Sequence, residues 1–282
     1  MSASIVASAD ELHKVNLGTF GMDGRTVAGM GRLEDWRTAA QLVRSAVVGA
    51  VRTPAARGLN PGSSLETSSS QALEWARAAR WTDLERAQFD VPEGEVAARA
   101  FWINLYNALT VHAVHAAGVK SSVTAQRGFF DRFAYTVSGF AFSLNDIEHG
   151  VLRGNRAAFL RGAPFKPQNP RLGFVLPLDP RVHFALNCGA RSCPPIRFYS
   201  AEHLDAQLDL ATTAQLQDVR LEGNVVWLPR LMSYYAADFG EPLAFTRRYR
   251  PDLPATARVK FLPYDWGLET AAFADHEPAR EP

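Results

Sequence analysis

Both cysteines of this 282-residue chain fall in a single stretch, His183-Phe-Ala-Leu-Asn187-Cys188-Gly189-Ala-Arg191-Ser192-Cys193-Pro194-Pro195, five positions apart. A thiolate is the strongest nucleophile a side chain offers at neutral pH, and a loop just past an element end fixes its root while exposing its tip. Gly189 lets a substrate or another backbone approach the thiol, and Arg191 can favour the charged sulfur. The base would be His183, or His149 of Ile147-Glu148-His149-Gly150, where Glu148 is the adjacent carboxylate. Spacing alone leaves both histidines open. On a regular strand over 181–188, His183 and Cys188 point to opposite faces, whereas Asn187 shares the His183 face; on a helix, Glu148 and His149 do not face each other. The set Cys188, His149, His183 and Glu148, with Asn187 and Gly189 on the substrate side, would attack an amide or ester carbonyl. Against this stands the reading in which a cysteine at a strand end packs as a small apolar side chain. His-x4-Cys-x4-Cys with His149 lacks the C-x2-C spacing of structural zinc sites, so neither a metal nor another cofactor is expected. A disulfide between Cys188 and Cys193 is geometrically open, and no feature of the sequence demands it.

A second polar pair lies in the apolar run AFWINLYNALTVHAV (100–114). Asn104 and Asn107 are three apart, hence on one helix face, and a buried amide must find a partner, either a neighbouring loop backbone or a ligand.

These residues need elements to hold them. The run over 98–118, apolar on nearly all sides and closed by Gly118, reads as a central buried helix. Alternation at Phe133, Tyr135 and Val137, with Gly139 between two strand-like pieces, predicts a hairpin. A short helix over 144–153 could be capped by Ser143 or Asn145, and Asp179-Pro180 opens the strand over 181–188. Ser200 could cap a helix over 201–216, with Leu204, Leu208 and Ala211 inward; strand 224–228, helix 229–239 and strand 259–263 follow. Upstream, 33–51 and 71–79 have helical spacing, and 53–70 is a Pro/Gly/Ser-rich linker. The expected architecture is α+β: one mixed domain over 71–270 with a central buried helix packed on an antiparallel sheet. A helical extension (1–70) precedes it and a frayed tail (271–282) follows.

Composition sets the bounds. At 47% hydrophobic and 21% charged residues the chain is too apolar for disorder, and 30 basic against 29 acidic side chains argue against general nucleic-acid binding. Two cysteines cannot make a disulfide framework. Asp10, Glu11 and His13 interrupt any secretory signal early, and no window reaches the ~18 apolar residues of a membrane span, so the expected location is the cytoplasm, without membrane insertion.

The segments AFWINLYNALTVHAV (100–114), GFFDRFAYTVSGFAFSLNDIEHGVLRGN (128–155), DPRVHFALNCGARSCPPIRFYSAEHLDAQL (179–208), WLPRLMSYYAADFG (227–240) and FLPYDWGLE (261–269) resemble the family catalogued as domain of unknown function 547, in its order, over about 93–270. The last departs from the family pattern, with Gly267-Leu268-Glu269 where Ser-Leu-Asn is usual. The resemblance implies a papain-like cysteine-hydrolase fold and a Glu-His-Cys constellation, with Cys188 of Asn-Cys-Gly as nucleophile and His149 of Ile-Glu-His as base. The function expected is thus a thiol-dependent, peptidase-like hydrolase of a small peptide or ester. The alternative is a non-catalytic binding or scaffold domain whose Cys/His motif packs the core and whose extension recruits partners.

Overall fold

The computed structural model describes residues 51–52, 88–158, 161–197 and 199–268. The helices expected over 33–51 and 71–79, the linker and the tail lie outside the described residues, apart from Val51 and Arg52.

The α+β reading holds. Helix α1 (Glu95–Ala116) starts after Gly94, carries Glu95 in its first turn where the helix dipole favours an anion, and stops at Gly118. Gly118 takes φ 59, and Val119 N–H donates to Val114 carbonyl at 3.0 Å, the 6→1 bond of a Schellman stop. Trp102, Ile103, Leu105 and Leu109 have no exposed surface, so α1 is buried all round. Each such side chain contributes about 1.5–3 kcal/mol of burial free energy.

One sheet runs β1 (Val51–Arg52), β2 (Gln88–Phe89), β3 (Ala134–Val137), β4 (Phe140–Ser143). The β3–β4 hairpin is antiparallel, with Tyr135 opposite Phe142, and turns on Ser138 and Gly139, both at positive φ as a two-residue turn requires. The pairing of β2 with β3 is parallel, which makes the sheet mixed. Helix α1 packs on it through Trp102 against Phe142, ring centroids 4.8 Å apart. A second sheet, β5 (Arg220–Glu222), β6 (Val225–Leu228), β7 (Arg258–Phe261), pairs antiparallel and then parallel.

Helix α2 (Phe129–Arg132) leads into the hairpin, and α3 (Leu204–Leu216) buries Leu204, Leu208 and Ala211 as expected. Ser200 does not cap α3 with its hydroxyl; its N–H instead donates to Gln207 Oε1 at 2.9 Å. The helix expected over 229–239 is two short pieces, α4 (Leu231–Tyr234) and α5 (Ala236–Phe239), and α6 (Pro242–Arg247) follows. The buried apolar residues form two clusters, one around α1 and the first sheet, the other around Phe184, β6 and α4–α6. Among the described residues no helix is long and apolar enough to cross a membrane.

The strand expected over 181–188 is absent. Asp179-Pro180 is a helix start rather than a strand start: Asp179 accepts the N–H of Arg181 at 3.0 Å, Pro180 presets φ, and Pro180–Phe184 winds as a 3-10 turn. His183 and Cys188 are therefore not held on opposite faces of one strand.

Candidate active site

The helix expected after the hairpin is a π-helical turn, Asp146–Leu152. Ser143 caps it reciprocally: its hydroxyl accepts Asp146 N–H at 3.1 Å, while Asp146 Oδ2 accepts the N–H and O–H of Ser143. Asn145 makes no capping bond. The wide winding, seen in Arg153 N–H to Glu148 carbonyl and Asn155 N–H to Gly150 carbonyl, brings Glu148 and His149 both to the inside.

Glu148 does not orient His149. Its carboxylate accepts the hydroxyls of Tyr106, at 3.0 Å, and Tyr235, and its Oε1 is 3.9 Å from His149 Nδ1. Burial pushes the Glu148 carboxyl up, but His149, the Tyr235 hydroxyl, His183 and the Tyr106 hydroxyl together hold it below its ordinary range. Both tyrosines are driven well above theirs by burial and by Glu148, and so remain phenols that donate.

The two imidazoles are fixed by other groups. Arg153 Nη1 donates to His149 Nδ1 at 2.8 Å. A guanidinium can only donate, so Nδ1 is the lone pair and the proton sits on Nε2. Burial lowers the His149 pKa, and the nearby Arg153 charge lowers it further against the opposing pull of Glu148. His149 is therefore a neutral ring with an N–H, and the ring lines a cleft. His183 Nε2 lies 2.9 Å from Asp238 Oδ2, while Arg153 Nε and Arg156 Nη1 also donate to Asp238. Burial raises the Asp238 carboxyl, and His183 and Arg153 bring it far below the carboxylate range. The His183 Nε2 proton faces that carboxylate, which leaves Nδ1 as its accepting nitrogen. The ring stacks on Tyr235, centroids 4.0 Å apart.

The thiols form a pair. Cys188 Sγ and Cys193 Sγ are 2.8 Å apart, and Cys193 Sγ also receives Cys188 N–H at 3.1 Å and the Tyr264 hydroxyl at 3.2 Å. Burial opposes ionisation of Cys193, but these donors bring it down to about 7. The hydrogen bond to Cys193, then burial, pushes the Cys188 thiol up. Negative charge therefore collects on Cys193, with Cys188 S–H donating to it. Arg191, expected to favour a thiolate, pairs with Asp265 at 3.1 Å. No hydrogen bond joins either histidine to either sulfur among the described residues.

One cleft, about 660 Å³ counting its mouth, gathers Glu148, His149, His183, Cys188 and Cys193 under the rings of Tyr106, Tyr235, Tyr264 and Trp266. It lies at the seam of the two cores, since Tyr106 and Leu186 belong to one and Leu231 to the other. The asparagines hold its walls from behind. Asn104 exchanges two bonds with the Tyr199 backbone, at 2.7 and 3.1 Å, and Asn107 bridges Ala185 carbonyl and Asn187 N–H. Asn187 donates to Pro194 carbonyl and accepts Gly189 N–H at 2.7 Å, so that N–H does not point into the cleft. Among the described residues no three His, Cys, Asp or Glu side chains converge as a metal-ligand set.

Sequence reasoning missed Tyr106, Arg153, Tyr235, Asp238 and Tyr264. Each stands inside a segment that carries the family resemblance, and their polar ends are the signal that could have found them.

No curated protein and no solved structure matches the chain. Residues 94–215, which run from the start of α1 into α3 and include both thiols, both imidazoles and Glu148, match the family model described as Protein of unknown function, DUF547.

Proposed function

We propose that the cleft hydrolyses an amide or ester bond through a cysteine thiolate. The observation that carries this reading is the meeting, in one aromatic cleft, of a charge-collecting thiol pair, an imidazole held by Asp238, and the neutral N–H of His149. The thiolate of Cys193 attacks the carbonyl carbon, and His183, which lines the same cleft, hands a proton to the leaving group as it departs. A water then attacks the thioester and returns a proton to His183, which frees the acid and restores the thiol. Asp238 keeps the ring in the tautomer this requires, the role a carboxylate plays behind a catalytic histidine. His149 Nε2–H, kept neutral by burial, supports the oxyanion, the part a neutral imidazole can play when its charge is suppressed. Cys188, the nucleophile that the family resemblance implies, acts here as the S–H donor that localises charge on Cys193.

The test is acylation of the reduced full chain by p-nitrophenyl acetate, read by intact mass and peptide mapping. The expected result is a single acetyl group on Cys193, gained faster than by a free model thiol, with slow turnover that Asp238→Asn abolishes. Acylation no faster than the model thiol, or unchanged in Cys193→Ser, overturns the reading.

A further inference from the structure

We propose that Cys188 and Cys193 form a reversible dithiol/disulfide couple that exchanges with small-molecule disulfides at the mouth of the cleft. The exchange is an activity separate from acyl transfer; only its consequence, removal of the nucleophile on oxidation, rests on the function proposed above.

The geometry is already that of a pair about to bond. The sulfurs are 2.8 Å apart, inside the ~3.5–4.0 Å of ordinary non-bonded contact and less than about 1 Å from a disulfide. The loop that carries them is clamped at both ends and in the middle. Asn187 Nδ2 donates to Pro194 carbonyl at 2.8 Å, Cys193 N–H donates to Ala190 carbonyl at 2.9 Å, and Arg191 N–H donates to Gly267 carbonyl at 2.8 Å. Ser192 Oγ accepts Asp265 N–H at 2.8 Å, and Ala190 bridges to Leu268. The ordering entropy of bringing the two sulfurs together is therefore already met by the fold in the dithiol form. Both thiols are partly exposed, so a small reagent reaches them. They are also the chain's only two cysteines, which leaves each the other's sole intramolecular partner.

The two thiols differ in the way such a couple uses. Cys193 collects three donors and attacks first; Cys188, the donor, resolves. In the first step the Cys193 thiolate attacks one sulfur of oxidised glutathione, forms a mixed disulfide and expels one glutathione thiolate. Cys188 passes its proton to that leaving thiolate, attacks Cys193 Sγ and expels the second glutathione. The Cys193 thiolate and the Cys188 thiol are oxidised to one disulfide, and one glutathione disulfide is reduced to one glutathione thiol and one thiolate that takes its proton from water, so electrons and protons balance. The reverse sequence, driven by excess reduced glutathione, restores the thiolate.

The experiment equilibrates the full chain in glutathione buffers of graded reduced-to-oxidised ratio, quenches with acid, alkylates with iodoacetamide and reads intact mass. The wild type is expected to pass in one transition from two alkylated thiols to an unalkylated species lighter by two hydrogens. Cys188→Ser and Cys193→Ser should each stop at a single glutathione adduct, about tenfold more abundant than any adduct on the wild type, because intramolecular resolution proceeds at a high effective concentration. A wild type that keeps both thiols across the series, or that accumulates adducts to the extent of the single variants, overturns the proposal. Esterase turnover followed on the same samples separates the two readings: a couple that forms in a protein showing no turnover when reduced sinks the hydrolase and leaves the couple standing.

Discussion

Arg153 Nη1 donates to His149 Nδ1 at 2.8 Å while its Nε donates to Asp238, so one guanidinium fixes the proton position in His149 and holds the carboxylate that faces His183 Nε2. Lysine cannot reproduce this, because an ammonium is a point donor without the planar fork. The Asp238 side chain has no exposed surface, so removing the guanidinium leaves a buried carboxylate short of a partner. Arg153→Met is expected to cost about 3 kcal/mol in urea unfolding. Combining it with Asp238→Asn should cost less than the sum of the single changes, since the stranded charge is then gone. Additive losses would show that the pair carries no coupling.

Thiol reactivity should single out Cys193. Its alkylation rate with iodoacetamide is expected to rise to half its maximum near pH 7, the value to which its donors bring it down, with Cys188, pushed up by its hydrogen bond to Cys193 and by burial, labelled more slowly there. Tyr264→Phe and Cys188→Ala each remove a donor and should move that midpoint up toward the ~8.5 of a free thiol. Faster labelling of Cys188 would return the nucleophile to the position that the family resemblance implies.

Much of the fold was legible because apolar periodicity and turn chemistry are local. The all-round apolar run of α1 with its Gly118 stop, the Ser138-Gly139 hairpin turn and the inward face of α3 all follow from spacing. The 181–188 segment misled because its buried apolar run has strand-like composition, while the Asp-Pro capping signal in front of it belongs to a helical turn. The site was half legible. Cysteine and histidine advertise their chemistry wherever they stand, but the partners that fix proton positions here are 85 residues from Arg153, at Asp238, and 71 from Cys193, at Tyr264. Nothing within one element announces such pairings. Tyr106 and Tyr235 were hidden for a further reason: a buried tyrosine reads as core until its hydroxyl is seen to reach Glu148.

The charge state of His149 gives stability a pH dependence with a definite sign. Its pKa is lowered in the folded chain, so between the folded value and the ~6.5 of an unfolded histidine the unfolded state binds more protons. That contribution is complete above about pH 6.5 and fades as the pH drops toward the folded value. Asp238 and Glu148, also depressed, add stability that is lost only at lower pH, below about 4. Urea midpoints should therefore fall in two stages on acidification. His149→Gln should remove the upper stage and leave the lower one intact; an upper stage that survives this change would place its origin elsewhere.

Gly150 supplies a prediction that tests the packing beneath the site. Its backbone does not require glycine, since φ is not positive, but a Cβ there would lie 2.6 Å from Phe165 Cε2, and that ring is 2% exposed. The ring cannot simply swing out, because Phe165 N–H and carbonyl are both bonded to the Asn155 side chain, at 2.9 and 2.8 Å, and Arg171 covers its face. Gly150→Ala is expected to destabilise the chain by about 1–3 kcal/mol through overpacking. Because Gly150 follows Glu148 and His149 on the same π turn, the strain should also disturb their bonds to Tyr235 and Arg153, seen as slower acylation of Cys193. Phe165→Leu opens the space the new methyl needs, so the double variant should recover part of the stability and of the acylation rate together. A Gly150→Ala chain as stable as the wild type would mean that the π turn shifts freely, and that the positions of Glu148 and His149 are not held from below.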